Sequence, residues 1–203
     1  MLENVLDHEY TVHDLVRGRW SPRAFSNRTV EHDKLLTMLE ATRWAASSFN
    51  EQPWSFIVAT QGEPAEYDRL LSCLAEANQT WAKTAPVLML SVAKMHFEHN
   101  GKANLHAFHD VGAAVCNLTT QAMALDLFVH QMAGFDPNKA RSMFEIPSGW
   151  DPVAAIAIGY LGDPQTLPES LREKELAPST RKPLKDIVFT GKWNQSSELA
   201  SDR

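Results

Sequence analysis

The sequence predicts an α+β fold, on the evidence of three apolar runs and one long helical pattern. The runs 56–60, 87–94 and 153–163 have the composition of buried strands. Residues 105–127 carry a mostly apolar pattern at helical spacing. Because the strands are few and one helix is long, the order of elements favours α+β over a doubly wound α/β sheet.

The remaining elements of the N-terminal half are helices. A short helix is predicted within 8–18, and Gly18 and Pro22 end it. The next begins near Thr29 or Glu31. Its apolar residues recur at helical spacing: Leu35, Leu36, Leu39, Ala41 and Trp44. A third is predicted over 61–77, starting near Pro64.

Small residues and prolines mark the C-terminal half. Gly112, Ala113 and Ala114 would let another helix approach the long helix closely. Residues 128–135 predict a short strand and turn, and 136–144 a helix with Asp136 as N-cap. Residues 164–203 are polar and contain four prolines. They predict an extended C-terminal arm to a single domain spanning 1–203.

Composition excludes several classes of protein. Of the 203 residues, 44% are hydrophobic and 22% charged, as in globular proteins. The formal charge of −6 disfavours nonspecific binding of nucleic acid. No apolar run approaches the roughly 20 residues that span a bilayer, and the N-terminus resembles neither a signal nor a transit peptide. Cys73 and Cys116 are predicted to be buried free thiols. We therefore expect a cytoplasmic protein without nucleic-acid or membrane partners.

The first candidate motif is RGRWSPRAF at 17–25. Ser21 lies among Arg17, Arg19 and Arg23, at the point where Gly18 and Pro22 end the predicted helix. Guanidinium groups and a hydroxyl in such a turn can clasp a phosphate. A solvated basic turn is the more common explanation of this pattern taken alone.

The second candidate motif is AASSFNEQPW at 45–54. Ser47 and Ser48 would let the backbone approach a flat ligand, and Asn50 offers both a donor and an acceptor. Pro53 fixes the entry into the following strand, and Trp54 covers the core behind the loop. A polar turn beside a packing tryptophan explains the pattern equally well.

Two weaker motifs follow. In HQMAGFD, 130–136, Gly134 permits close backbone approach and unusual dihedral angles. In STRKPLKDIVF, 179–189, Arg181 and Lys182 form a second cationic pair. A simple turn and an exposed basic tail are the alternatives.

The order of these four motifs resembles the FMN-dependent nitroreductase family over nearly the whole chain. RWSPRAF fits the family's R-x-S-x-R/K-x-F element, and AASSFNEQPW fits its P/A-S-x-x-N-x-Q-P-W element. GFDP and RKPL stand where relatives have a glycine loop and a basic R-x-P-L element. Three positions depart from the pattern: Ala46, often proline; Ala133, glutamate in well-known bacterial members; and Trp20, frequently basic. The last two put substrate preference and detailed flavin contacts in question.

The resemblance implies a central, mainly antiparallel sheet flanked by helices, in an intertwined homodimer. The 105–127 helix would lie at the dimer centre, FMN at the subunit interface, and the C-terminal arm on the partner. It also implies hydride transfer from NADH or NADPH through FMN to a small acceptor such as a nitroaromatic, quinone or enone. The alternatives are a flavin-binding or flavin-storage protein without turnover, and a specialised member acting on another substrate.

The resemblance further implies roles for individual residues. Arg19, Ser21, Arg23, Arg181 and Lys182 would bind the FMN phosphate. The small Ser47 and Ser48 would pass beside the ring, Asn50 would bond its pyrimidine edge, and the Gly134 N–H would lie near the hydride-accepting nitrogen. The whole expected cofactor-binding set is Arg19, Trp20, Ser21, Arg23, Ser47, Ser48, Asn50, Gln52, Ala133, Gly134, Arg181 and Lys182. No catalytic side chain is expected, because the chemistry belongs to the flavin.

A histidine-rich segment offers a competing explanation. His96, His99, His106 and His109 precede Asp110, and His106 and His109 could share a helix face and a metal ion. No cysteine lies nearby and no H-E-x-x-H pattern is present, so a metal site is not favoured. A polar segment over the flavin pocket, where histidines meet substrate or nicotinamide phosphate, is the preferred interpretation.

Overall fold

A computed structural model describes residues 10–200 and contains a four-stranded antiparallel sheet. The strands are β1 (Trp54–Thr60), β2 (Val87–Lys94), β3 (Phe128–Met132) and β4 (Trp150–Gly159). Their spatial order is β1-β2-β4-β3, and every neighbouring pair is antiparallel. The α+β class, the antiparallel sheet and the predicted strands are thereby confirmed.

Seven α-helices accompany the sheet in the described part of the chain. They are α1 (Asp14–Arg17), α2 (His32–Thr42), α3 (Pro64–Leu71), α4 (Glu76–Ala82), α5 (Ala107–Met123), α6 (Pro137–Met143) and α7 (Glu169–Leu176). The carboxylate of Asp136 accepts hydrogen bonds from the N–H groups of Asn138 and Lys139, which confirms the predicted N-cap of α6. No helix within 10–200 is long and apolar enough to cross a bilayer.

Both faces of the sheet are covered by helices. Alternate residues of β2 point to opposite faces, so Leu88 and Leu90 join one core while Val87 and Met89 join the other. The first core receives side chains from α3, α4 and α6, including Leu70 and Trp81. The second receives those of α2 and α5, including Met38, Val115 and Leu118. The central strands are therefore buried on both sides.

The small residues of α5 have unequal environments. Ala114 is fully buried, whereas no atom lies within 4 Å of where a Cβ on Gly112 would stand. Cys116 is exposed, so the prediction that both cysteines are buried is wrong for this one and right for Cys73. The reason is helical phase: Ala114 and Val115 both face the core, and the next step of about 100° along the helix turns Cys116 toward the outside.

The helix predicted over 61–77 is two helices. Between α3 and α4 the chain turns, and the N–H of Ala75 donates to the carbonyl of Gly134 at 2.9 Å. Leu74 also forms an isolated bridge with Phe135. Trp44, predicted on the apolar face of α2, lies beyond the helix end and is 80% exposed.

The prediction of an extended arm is wrong for its first part. Residues Pro164–Thr166 form a 3₁₀ turn and α7 follows, with Leu167 and Glu175 buried. Pro164 stands in the first turn of its element, where a proline lacking an N–H is tolerated. Proline here begins local structure rather than preventing it.

The described residues form two compact units. One is 12–176 and contains the whole sheet. The other contains 10–11 and 177–200, with short 3₁₀ turns and a bridge between Phe189 and Ser196. The single domain over 1–203, the homodimer and the reach of the arm onto a partner remain predictions.

A glycine shortly after β4 generates a stability prediction. The N–H of Gly162 donates to the carbonyl of Ala24. A Cβ on Gly162 would stand 2.5 Å from the backbone carbonyl of Phe25. Because backbone cannot yield as a side chain can, Gly162→Ala should destabilise by about 1–3 kcal/mol. Gly62→Ala is the matched control, since its Cβ would meet only Thr60 Oγ1 at 3.5 Å. Urea unfolding of both variants measures the difference, and equal midpoints would contradict the close approach.

Candidate functional site

The first motif lies beside β3 and is held at its central peptide. The Pro22 carbonyl accepts a hydrogen bond from His130 Nδ1 at 2.8 Å. The N–H of Arg23, in the same peptide unit, donates to both carboxylate oxygens of Glu175 at 2.9 Å. The N–H of Ala24 donates to Glu175 Oε1 at 3.0 Å. The sharp turn predicted from the proline is therefore fixed by two side chains distant in sequence.

The polar side chains of this motif are close to one another. Arg19 Nη1 donates to Ser21 Oγ at 3.3 Å, and both residues are partly exposed. Arg23 Nη1 lies 3.8 Å from Glu175 Oε2, with the arginine side chain 28% exposed. Trp20 instead packs edge-on against Phe128, with ring centroids 6.2 Å apart. Two guanidinium groups and a hydroxyl thus share one accessible segment, as an anion site requires.

The pKa of His130 is shifted by its position beside this segment. Burial lowers the pKa of His130 below its ordinary 6.5, and the charges of Arg23 and Arg19 lower it further. Hydrogen bonds from the ring to backbone carbonyls act in the opposite direction without reversing the shift. The imidazole is therefore neutral near pH 7, and its Nδ1 carries the proton donated to Pro22.

The third motif follows β3 directly. The Gly134 carbonyl accepts hydrogen bonds from the Ala75 N–H and from Asn78 Nδ2, both at 2.9 Å. A Cβ at Gly134 would stand 2.6 Å from that Asn78 nitrogen, so a larger residue here would have to displace the Asn78 amide. Its φ is not in the left-handed region, contrary to the expected unusual dihedral angles. Within 10–200 the N–H of Gly134 has no protein acceptor.

The second motif is a loop with unusual backbone geometry. Phe49, Asn50 and Gln52 all have positive φ, at 54°, 56° and 50°. Such angles are costly for residues other than glycine and persist only where surrounding contacts impose them. One such contact is the N–H of Gln52 to Ser47 Oγ at 3.0 Å. Another is the N–H of Ser48 to Asp110 Oδ2, also at 3.0 Å.

The loop presents two side chains to the outside. Asn50 is exposed, and its side-chain amide makes no hydrogen bond to another described residue. Phe49 is 82% exposed and meets Phe97 edge-on at 5.6 Å. The anchoring Asp110, by contrast, is only 3% exposed. The loop is therefore fixed from beneath and leaves an amide available to a ligand.

The first and second motifs lie at diagonally opposite corners of the sheet. The first borders β3 and the second leads into β1, which are the two edge strands. Three strand spacings separate these edges by about 14 Å. Along the strands, His130 is level with Leu88 of β2 and Trp54 with Ala93, a difference of about 17 Å. Within one chain the two motifs are thus roughly 20 Å apart.

With this geometry established, comparison with known proteins identifies the fold's relatives. Residues 16–160 match the Nitroreductase family. The chain belongs to the nitroreductase family.

Three relatives illustrate the range of this family. A solved structure described as an oxidoreductase containing FMN is 38% identical, with a TM-score of 0.88 over 93% of this chain and 96% of that one. An uncharacterised 15.4 kDa protein of Mycolicibacterium smegmatis is 34% identical over 61% of this chain and 82% of its own length. The major NAD(P)H-flavin oxidoreductase of Aliivibrio fischeri is 23% identical over 87% and 96%.

The expected cofactor-binding set includes two residues outside the sheet-containing unit. Arg181 and Lys182 are exposed within the second unit, where Arg181 Nη1 donates to the carbonyl of Thr180. Their part in a phosphate site stays a prediction. Across the described ranges, no three His, Cys, Asp or Glu side chains are grouped to hold a metal ion.

Three residues that support the nitroreductase motifs were not predicted from the sequence. Glu175 lies in the polar stretch ESLREKEL, whose pattern gives no sign of burial. Asp110 and His130 stood inside segments noted for other reasons, with nothing in their spacing to indicate what they would contact. All three act across long sequence separations, and periodicity cannot reveal such contacts.

The lowered pKa of His130 predicts a pH dependence of stability. The unfolded chain binds a proton below about pH 6.5, whereas folded His130 does so only at lower pH. This contribution is therefore complete above the unfolded pKa and is lost as pH falls below it. His130→Asn should keep a donor to Pro22 while removing the titration. Urea unfolding from pH 7.5 to 5 should show a shallower pH dependence for the variant, and identical profiles would contradict the shift.

Proposed function

We propose that this nitroreductase-family chain binds FMN and acts as an FMN-dependent oxidoreductase. It takes hydride from NADH or NADPH and passes electrons to a small acceptor such as a nitroaromatic, quinone or enone. Family membership and the names of the FMN-containing and NAD(P)H-flavin relatives support the oxidoreductase class. The nicotinamide donor is an intracellular metabolite, so the proposal includes a cytoplasmic location.

The arrangement of Arg19, Ser21 and Arg23 carries the proposal. A flavin phosphate brings up to two negative charges, which need compensating cations when partly buried. Two guanidinium groups and a hydroxyl stand on one segment with a fixed backbone. Burial is the main cause of the lowered pKa of the adjacent His130, and the charges of the two guanidinium groups lower it further. These residues fit the phosphate end of FMN. Arg181 and Lys182 are proposed to add to the same end.

The second motif fits the ring end of FMN. The small Ser47 and Ser48 leave space beside a planar ring, and Gln52 holds the loop through the Ser47 hydroxyl. Asn50 has both amide groups available for the donor and acceptor of a pyrimidine edge. The left-handed geometry is what turns this residue outward from a loop anchored on Asp110.

One FMN needs both motifs, and the spacing within a chain is too large. The motifs are roughly 20 Å apart, while a five-carbon ribityl chain keeps phosphate and ring within roughly half that distance. A second copy of the chain related by a two-fold axis would bring the ring motif of one subunit to the phosphate motif of the other. We therefore propose a homodimer with two composite flavin sites.

The third motif fits the reactive part of the ring. When bound, FMN supplies the redox chemistry, and the protein supplies binding and orientation. The N–H of Gly134 is proposed to donate to the hydride-accepting nitrogen, because its carbonyl is fixed by Ala75 and Asn78 while its N–H has no acceptor among the described residues. Ala133 and Trp20 are proposed to border the flavin as apolar neighbours.

Reduction by a nicotinamide tests turnover against storage. The purified protein, saturated with FMN, should be yellow and should bleach when NADPH or NADH is added without oxygen. Addition of a nitroaromatic, a quinone or an enone should then restore the colour, and the rates rank the acceptors. A flavin that stays oxidised with both nicotinamides, while dithionite reduces it, would indicate a storage protein and contradict the proposed enzyme.

Subunit mixing tests the composite site. Arg19→Ala should weaken FMN binding about tenfold to a hundredfold by removing a charge-assisted contact, and Asn50→Ala about fivefold by removing a neutral hydrogen bond. Chains carrying different tags and one substitution each are co-expressed, and the mixed dimer is purified.

In the mixed dimer, a composite arrangement gives one site with both substitutions and one with neither. FMN titration should therefore show half of the sites with wild-type affinity. If instead both sites are weakened, one as much as in Arg19→Ala and the other as much as in Asn50→Ala, both residues serve a flavin within one chain. A stable FMN-loaded monomer would contradict the dimer.

A further inference from the structure

One peptide unit of the phosphate motif is held at both of its polar groups. Its carbonyl, on Pro22, accepts from His130 Nδ1 at 2.8 Å. Its N–H, on Arg23, donates to both oxygens of Glu175 at 2.9 Å. The two side chains belong to β3 and α7, so two separate elements fix the orientation of a single peptide plane.

The Glu175 carboxylate has no other evident role. Its side chain is 1% exposed, and burying a charge is costly unless hydrogen bonds and opposite charge compensate it. Among residues 10–200, the compensating groups belong to the phosphate motif: the N–H groups of Arg23 and Ala24, and the Arg23 guanidinium at 3.8 Å. A carboxylate beneath a proposed anion site would oppose the anion unless its support of the segment outweighs the repulsion.

His130 is equally well fixed. Its ring packs on Trp81 with centroids 4.5 Å apart, and Trp81 in turn stacks on Phe25 at 6.3 Å. The aromatic packing holds the imidazole in the orientation that directs Nδ1 to the Pro22 carbonyl. The donor is therefore preorganised before any ligand binds.

We propose that Glu175 and His130 are positioning residues of the phosphate site, which act by clamping the Pro22–Arg23 peptide. The proposal rests on the proposed function. This peptide joins Arg23 to Pro22, which Ser21 directly precedes, so a rotation of the peptide would change the direction of the Arg23 side chain relative to the Ser21 hydroxyl. The clamp keeps the hydroxyl and the guanidinium directed to one anion, so it contributes to binding of the phosphate and not of the flavin ring.

Comparing the affinities for FMN and for riboflavin, which lacks the phosphate, distinguishes this positioning role from general stabilisation. Glu175→Ala and His130→Ala should each weaken FMN binding about tenfold, the usual cost of losing a residue that orients a ligand group, with less than about a twofold change for riboflavin. Glu175→Gln and His130→Asn should stay within about threefold of wild type for FMN, since each keeps the hydrogen bond to the peptide. Fluorescence titration with both flavins measures all four variants.

Because both residues hold the same peptide, the double alanine variant should lose much less than the product of the single losses. Glu31→Gln is the control, because the Glu31 carboxylate accepts hydrogen bonds from Tyr160 and Arg28 outside the motif. This variant should leave the ratio of FMN to riboflavin affinity unchanged. Equal losses for the two flavins, or unchanged FMN affinity in both alanine variants, would overturn the clamp. A Gln or Asn variant as weak as its Ala counterpart would also contradict it.

Two further measurements keep the test decisive. If thermal unfolding shows that flavin-free Glu175→Ala does not fold, Glu175→Asp withdraws the carboxylate by one methylene and should show the same FMN-selective loss. Arg19→Ala is titrated in parallel. FMN-selective loss in Arg19→Ala but not in the clamp variants would overturn the clamp alone, whereas equal losses of both flavins in Arg19→Ala would overturn the phosphate site itself.

Discussion

The pairing of β2 with β4 is the constraint on which the rest of the protein depends. These two strands occupy the centre of the sheet and are buried on both faces, so their exchange of backbone hydrogen bonds cannot be replaced by water. Their alternating side chains also define the two cores, one with α3, α4 and α6 and the other with α2 and α5. Within 12–176, the segments that carry Arg19, Asn50 and Gly134 border the sheet that this pairing organises.

The central pairing forces β1 and β3 to the two edges, and the functional segments are placed there as a result. Each edge segment is anchored by a buried carboxylate that receives backbone N–H groups: Glu175 for the first motif and Asp110 for the loop before β1. In both cases the anchor lies beneath the segment and the polar side chains are left outward. Backbone held by buried acceptors is thus the common means of preparing both halves of the proposed flavin site.

Sequence patterns predicted the strands and the long helix because periodicity and apolar runs are local properties. They also singled out the segments that carry Arg19, Ser21, Arg23, Asn50 and Gly134, because turn residues and clustered polar groups are visible in one dimension. The part of these residues in flavin binding stays a prediction. They failed where a distant contact decided the outcome. The break between α3 and α4 follows from Ala75 bonding to Gly134, and the burial of Glu175 follows from N–H groups about 150 positions away.

The diagonal separation of the two motifs has a thermodynamic consequence. If each flavin takes its phosphate contacts from one chain and its ring contacts from another, cofactor binding and subunit association share one free energy. Dilution of the protein then lowers its apparent affinity for FMN, and saturation with FMN strengthens the association of the chains by the same factor. In such a composite arrangement the cofactor would act as an assembly factor, and the cellular supply of flavin would set how much of the chain exists as dimer.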